Sequence, residues 1–175
     1  MADSDAVRRA VRDVPDFPKP GILFKDITPV LLNPELLEAA IRGMGESFRG
    51  AGITRVLAIE SRGFMFGAPI ALALGAGLVP VRKPGKLPAS RDRVEYTLEY
   101  GTDALEMHSD AIGATDRILV VDDVLATGGT AEAAGKLVKQ RGAQLVGFSF
   151  MIELSFLGGR KRLAPSRVEA LLQYT

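Results

Sequence analysis

Residues 119–130 read Leu-Val-Val-Asp-Asp-Val-Leu-Ala-Thr-Gly-Gly-Thr. Two adjacent carboxylates, Asp122 and Asp123, close an apolar run, and Thr127-Gly128-Gly129-Thr130 follows. Glycines let a backbone approach an anion without side-chain clash. A helix that begins there offers unbonded amides and a partial positive charge. One helix-end charge interaction contributes roughly 0.3–1 kcal/mol, so several amides and both threonine hydroxyls must act together to hold a phosphate. Carboxylates beside a phosphate site make sense if they accept hydrogen bonds from a sugar diol. They also suit a position near Mg2+, which takes oxygen ligands and bridges to substrate phosphates. The segment therefore suits a sugar phosphate. It is not a Walker loop, because no G-x-x-x-x-G-K-[ST] occurs. The plainer alternative is a solvated turn with Thr127 or Thr130 as a helix N-cap.

The elements that would position this segment alternate. Ile118–Asp122 reads as a buried strand, followed by an acidic turn, the glycine loop and a helix over 131–141 stopped by Gly142. Arg55–Ile59 is a short branched strand, interrupted by Glu60-Ser61-Arg62-Gly63 and followed by a small-residue helix from about Phe64 to Leu74. Leu78–Val81 is a strand whose Pro80 predicts an edge or a bulge. Residues 83–93 read as a loop. Val94, Tyr96, Leu98 and Tyr100 alternate with polar residues, and Gly101-Thr102 turns that strand toward a partner at 104–107. Leu145–Ile152 and Val168–Tyr174 are further strands. Upstream, Val7, Ala10, Val11 and Val14 recur at helical spacing after a possible cap at Ser4. Pro15, Pro18, Pro20 and Gly21 then make a stiff arm. Asn33-Pro34 marks the start of a helix with Leu37, Ala40, Ile41, Met44 and Phe48 on one face, ending at Gly50 or Gly52. Strands alternating with helices predict one α/β domain, a mostly parallel twisted sheet flanked by helices. Ligands in such folds bind at the carboxyl ends of strands, where both Glu60–Gly63 and Asp122–Thr130 fall.

Composition excludes several classes. The 175 residues carry a formal net charge of +1, with 47% hydrophobic and 25% charged residues, so no global field favours nucleic acid or a membrane surface. There is no cysteine, which removes disulfide and thiolate chemistry. The single His108 sits among polar residues and reads as a solvated surface group. No signal-like or membrane-spanning segment is visible, and a cytoplasmic protein is expected.

The 119–130 segment resembles the phosphoribosyl-diphosphate motif of the type I phosphoribosyltransferases. Phe17–Pro29, Glu60–Phe64, Arg82–Pro88, Leu98–Gly101 and Leu171–Tyr174 resemble the adenine branch of that family, from about residue 16 to the end. The resemblance implies transfer of the 5-phosphoribosyl group from phosphoribosyl diphosphate to adenine, giving AMP and pyrophosphate, with Mg2+. It implies that Asp122 and Asp123 hold the ribose hydroxyls, and that Ala126, Thr127, Gly128, Gly129 and Thr130 hold the 5-phosphate. Phe24 would stack on adenine while the backbone of Leu23–Lys25 reads its polar edge. Arg62 would clamp pyrophosphate, with Lys83 and Lys86 adding positive charge. Glu99 would carry the proton, or else be one of two solvated hairpin glutamates with Glu95. The family turn at Glu60-Ser61 often holds a non-proline cis peptide. An arm over about 1–33, a mobile flap over about 83–107 and a homodimer are implied as well. Arg91-Asp92-Arg93-Val94 departs from the serine- and threonine-rich flap of many relatives. A xanthine or pyrimidine enzyme is the alternative within the class, and the Phe17–Pro29 arm argues against it. A non-catalytic, nucleic-acid-binding regulator is the alternative outside it, and would need a basic face or an added module.

Overall fold

Proline and glycine shape the first of two compact units, Met1–Gly43 and Met44–Thr175. The structure, a computed structural model, describes residues 2–97 and 101–175. Helix α1 (Ala2–Ala10) gives way to β1 (Arg12–Pro15), which pairs antiparallel with β2 (Leu23–Asp26). Val14 is therefore a strand residue opposite Phe24, not a helix residue as its spacing predicts. Pro15 explains this, because a residue before proline is driven out of the α region. Ser4 lies inside α1 rather than capping it. Between the strands Gly21 takes a φ of +85°, and its amide donates to the Asp16 carboxylate at 2.8 Å. The hairpin is held by Arg12–Asp26 and Lys25–Asp13, each at 2.5 Å. Hydrogen bonds from Thr28, then Arg12, lower the Asp26 pKa to about 2.

After the short α2 (Thr28–Leu31), α3 (Pro34–Glu46) starts where Asn33 predicts. Asn33 Oδ1 accepts the amides of Glu35 and Leu36 at 2.9 and 3.1 Å. The helix stops at Glu46, short of Gly50, because Gly43 and Gly45 weaken its last turn.

The second unit is built from β3 (Arg55–Ile59), α4 (Gly63–Leu74), β4 (Gly77–Val81), β5 (Arg91–Thr97), β6 (Thr102–His108), β7 (Arg117–Leu125), α5 (Gly129–Gln140), β8 (Gln144–Leu154), α6 (Gly159–Arg162) and β9 (Val168–Tyr174). Five strands pair parallel in the order β4-β3-β7-β8-β9, which is the expected α/β sheet. β4 is an edge, so the missing N–H of Pro80 costs no ladder bond in the sheet interior. β5 and β6 form a separate antiparallel hairpin, beginning at Arg91 inside the stretch that reads as loop.

Alternation along the strands gives two buried faces. Leu57, Ile59, Val120, Phe148 and Phe150 cluster with Ala134, Leu137 and Val138 of α5 and with Val94, Leu105 and Met107 of the hairpin. The other face carries α4, where a Cβ on Gly67 would lie 2.4 Å from the Ala58 Cβ. Two expectations are corrected. β7 continues through both aspartates to Leu125, because β8 keeps pairing alongside, with Asp122 opposite Phe150 and Val124 opposite Ile152. The acidic segment is thus strand, not turn. His108 ends β6 half-buried rather than solvated. No helix among the described residues is long and apolar enough to cross a membrane.

Gly67→Ala is expected to lower stability by about 1–3 kcal/mol through overpacking against β3. Urea unfolding should show a lower midpoint with an unchanged slope. An unchanged midpoint would contradict the close approach.

Candidate sugar-phosphate site

The sheet reverses direction of growth between β3 and β7. From β3 the chain moves outward to β4, and from β7 it moves the other way to β8 and β9. The carboxyl ends of β3 and β7 therefore border a crevice where no crossover passes, the usual ligand position in such sheets. Glu60–Gly63 leaves β3 there, and Asp122–Thr130 leaves β7.

Gly63 opens α4 against Asp122: a Cβ at Gly63 would lie 3.0 Å from Asp122 Oδ1 and 2.9 Å from the Val121 carbonyl. Glycine is what lets the positive end of α4 come so near a carboxylate. Arg62, the N-cap, places its Nε 2.8 Å from Asp123 Oδ2. That distance makes an ion pair, but the N–H is not aligned as a hydrogen bond, and Asp123 Oδ2 is buried without one. Asp122 Oδ1 accepts the Asp123 amide at 2.9 Å. The Glu60–Ser61 peptide is cis.

The glycine loop folds as its composition requires. Gly128 takes a φ of +83° as the N-cap of α5, and no side chain caps the helix. Neither Thr127 nor Thr130 is the N-cap. Thr127 is exposed and Thr130 half-buried. The support beneath the loop was missed by sequence reasoning. A Cβ at Gly159 would lie 2.2 Å from the Ala126 carbonyl, and one at Gly128 would lie 2.9 Å from the Gly159 carbonyl. α6 thus packs its backbone onto the loop. Arg160 holds this support through the buried Glu153, with Nη2 to Oε2 at 2.5 Å, and Arg162 pairs with Glu132 of α5 at 2.8 Å. The Gly158-Gly159 doublet was the one available signal.

Lys83 meets the hairpin beside the loop, and Lys86 meets the end of β3. Lys83 pairs with Asp103, and Lys86 lies 3.2 Å from Glu60, which also binds Arg82 at 2.5 Å. In the first unit Phe24 meets Phe17 edge-on at 5.2 Å, Leu23 is exposed, and Lys25 pairs with Asp13. Glu99 lies outside the described residues.

Residues 29–165 match the family model described as phosphoribosyl transferase domain. The chain is 59% identical over 170 residues to an adenine phosphoribosyltransferase of Anaeromyxobacter dehalogenans, covering 97% of this chain and 99% of that one. The chain belongs to the adenine phosphoribosyltransferases. The solved enzyme of Rhodothermus marinus superposes with a TM-score of 0.94 at 55% identity, covering 99% of both chains. The Saccharomyces cerevisiae enzyme, solved with an imino-altritol bisphosphate and adenine, gives 0.92 at 43% identity, covering 98% of this chain and 99% of that one. The parallel sheet with its hairpin is the type I phosphoribosyltransferase fold.

Phosphoribosyltransferases generally use Mg2+ with phosphoribosyl diphosphate, and the donor set can be tested for it. No group of three or more His, Cys, Asp or Glu that could hold a metal occurs among the described residues. A carboxylate pair with one buried oxygen lacking an aligned hydrogen bond remains. This fits Mg2+, which is commonly held by one or two carboxylates plus substrate phosphates.

Burial, then the Asp123 charge, raises the Asp122 pKa well above the carboxylate range. Burial raises that of Asp123 too, against the pull of Arg62. A raised folded-state pKa gives stability that is full below the unfolded value and lost as pH rises through the folded value. Asp122→Asn is therefore expected to stabilise the free protein above about pH 4, by about 1–3 kcal/mol at neutral pH. The gain should vanish at lower pH, while binding of phosphoribosyl diphosphate is lost. Thermal melts across pH with a binding titration check this, and an Asn variant no more stable than the parent at pH 7 would contradict it.

Proposed function

We propose that the residues gathered at the β3 and β7 ends carry the family reaction, transfer of the 5-phosphoribosyl group from phosphoribosyl diphosphate to adenine, giving AMP and pyrophosphate. The observation that supports this most is a carboxylate pair near the end of β7, Asp122 half-buried and Asp123 buried against Arg62, just before a glycine-opened, uncapped helix. Amides of 126–130 and the hydroxyls of Thr127 and Thr130 hold the 5-phosphate. Asp122 and Asp123 accept hydrogen bonds from the ribose 2- and 3-hydroxyls. Arg62 turns its fork of donors to the pyrophosphate, with Lys83 and Lys86 from the flap over about 83–107. Phe24, on the arm over about 1–33, stacks on adenine, and the Leu23–Lys25 backbone reads the base edge.

In the reaction a bond forms from an adenine ring nitrogen to the anomeric carbon. The bond from that carbon to pyrophosphate breaks, and its electrons leave with pyrophosphate. The proton lost by the nitrogen passes to Glu99, whose charge also favours the developing cation. Mg2+ would be held mainly by the ligand's phosphates and ribose hydroxyls, near Asp122 and Asp123, and would neutralise charge on the leaving group. A closed flap excludes the water that would otherwise hydrolyse the sugar. We take the active form to be a homodimer. The exposed Met65 and Leu72 on the small-residue helix α4 support this.

Purified protein is expected to form AMP and pyrophosphate from adenine only with Mg2+, and to scatter light as two chains. Turnover with a different base alone would refute the adenine assignment, and an active monomer would refute the dimer. Glu99→Gln should cut the single-turnover rate about 10²–10⁴-fold with adenine affinity kept. A rate within a few-fold of the parent would remove Glu99 from the proton path.

A further inference from the structure

Lys83 reaches the phosphate loop through a single phenol oxygen. Its Nζ donates to Tyr96 Oη at 2.7 Å and pairs with Asp103. The same phenol donates to Asp103 Oδ2 at 3.2 Å and accepts from Thr130 Oγ1 at 3.4 Å. One hydroxyl donor and two lone pairs are thereby all used. Tyr96 is 5% exposed, and its Cδ2 would lie 3.5 Å from a Cβ on Gly129. Lys83 is thus not a free loop charge. It is aimed by a buried tyrosine at the start of α5.

The pair with Asp103 adds a complication. Hydrogen bonds from Asp103 and Tyr96 outweigh burial and raise the Lys83 pKa, and Lys83 lowers that of Asp103 against burial. Both groups are charged at neutral pH. A phosphoryl group bound nearby and the Asp103 carboxylate would seek the same ammonium. Side-chain exposures of 34% for Lys83 and 28% for Asp103 leave room for that exchange. Register alone brings Asp103 there, since it stands opposite Tyr96 in the hairpin ladder.

We propose that Tyr96 and Asp103 are positioning residues for the phosphoryl ligand. Tyr96 aims Lys83 at a phosphoryl group bound at this end of the sheet, and Asp103 competes with that group for the ammonium and so hastens its release. This rests on the reading of the β3 and β7 ends as the place where the ligand's phosphoryl groups are held. It differs in sign from a purely structural ion pair. Loss of a structural pair would loosen the hairpin and weaken binding, whereas loss of a competitor tightens it.

The test is calorimetric binding of AMP and, separately, of pyrophosphate with Mg2+ to the parent, Asp103→Asn, Lys83→Met and the double variant, beside steady-state kinetics. Asp103→Asn is expected to tighten binding about two- to tenfold, the span of a partly exposed charge pair. AMP alone tightening locates Lys83 on the 5-phosphate, and pyrophosphate tightening locates it on the leaving group. Slower release should lower kcat more than kcat/KM. Lys83→Met should weaken binding and abolish the gain in the double variant. Weaker or unchanged binding by a folded Asp103→Asn overturns the proposal. If that variant does not fold, unchanged affinity in Lys83→Met overturns it instead. A parent that makes no AMP from adenine, yet shows the tightening, refutes the adenine assignment and leaves this proposal standing. A parent that binds neither anion refutes both.

Discussion

Two carboxylates side by side in a central strand are the constraint around which the ligand end of the sheet is organised. Asp122 and Asp123 both lose water, which disfavours their charged forms, and the Asp123 charge adds to this at Asp122. Arg62 and the first turn of α4 offset part of this. For that turn to come close, position 63 has to lack a side chain, since a Cβ would press on the Val121 carbonyl and on Asp122 itself. Gly67 then lets the same helix settle on Ala58. The arrangement is a poor solution for stability and a good one for gripping a diol, whose hydroxyls donate where two anions need donors. Sites that bind are often held against the stability of the free fold in this way.

The glycine loop after β7 depends on a second layer of supporting contacts. Gly128 bends the chain into α5, and Gly159 lets the α6 backbone lie against that bend. Glu153, buried at the end of β8, ties Arg160, and Gln173 donates to it at 3.3 Å. The loop amides are thus fixed by backbone contact from below before any anion arrives. Donors preorganised in this manner need no reordering on binding.

How much of this the sequence discloses follows from the range of the interactions. Short branched runs flanked by glycine locate β3, β7 and β8, because burial on both faces demands them locally. Thr-Gly-Gly-Thr marks the loop for the same reason, and Asn33 marks its helix. Val14 misleads, since its spacing fits a helix while the following proline and its partner Phe24 decide for a strand. The aspartates read as a turn because polar residues usually end strands. Only β8, pairing alongside, shows that the strand continues. Gly159 under the loop, Asp103 on Lys83 and Glu60 on Lys86 lie tens of residues from what they touch, and no periodicity encodes such pairings.

Those pairings bear on how a chain of net charge +1 handles a multiply charged anion. Arg62, Arg82, Lys83, Lys86 and Arg91 each stand against a carboxylate: Asp123, Glu60, Asp103, Glu60 and Glu106 in turn. Their fields largely cancel a few ångströms out, so long-range steering by this cluster is weak at physiological salt. On the proposed reading of the site, what distinguishes the right anion is then short-range: loop amides at a fixed spacing, and cations that would change partner only when phosphoryl oxygens arrive in the proper place. A bare cluster of lysines would bind any polyanion. A cluster already matched with acids yields only to a ligand that can outbid each acid at its own position.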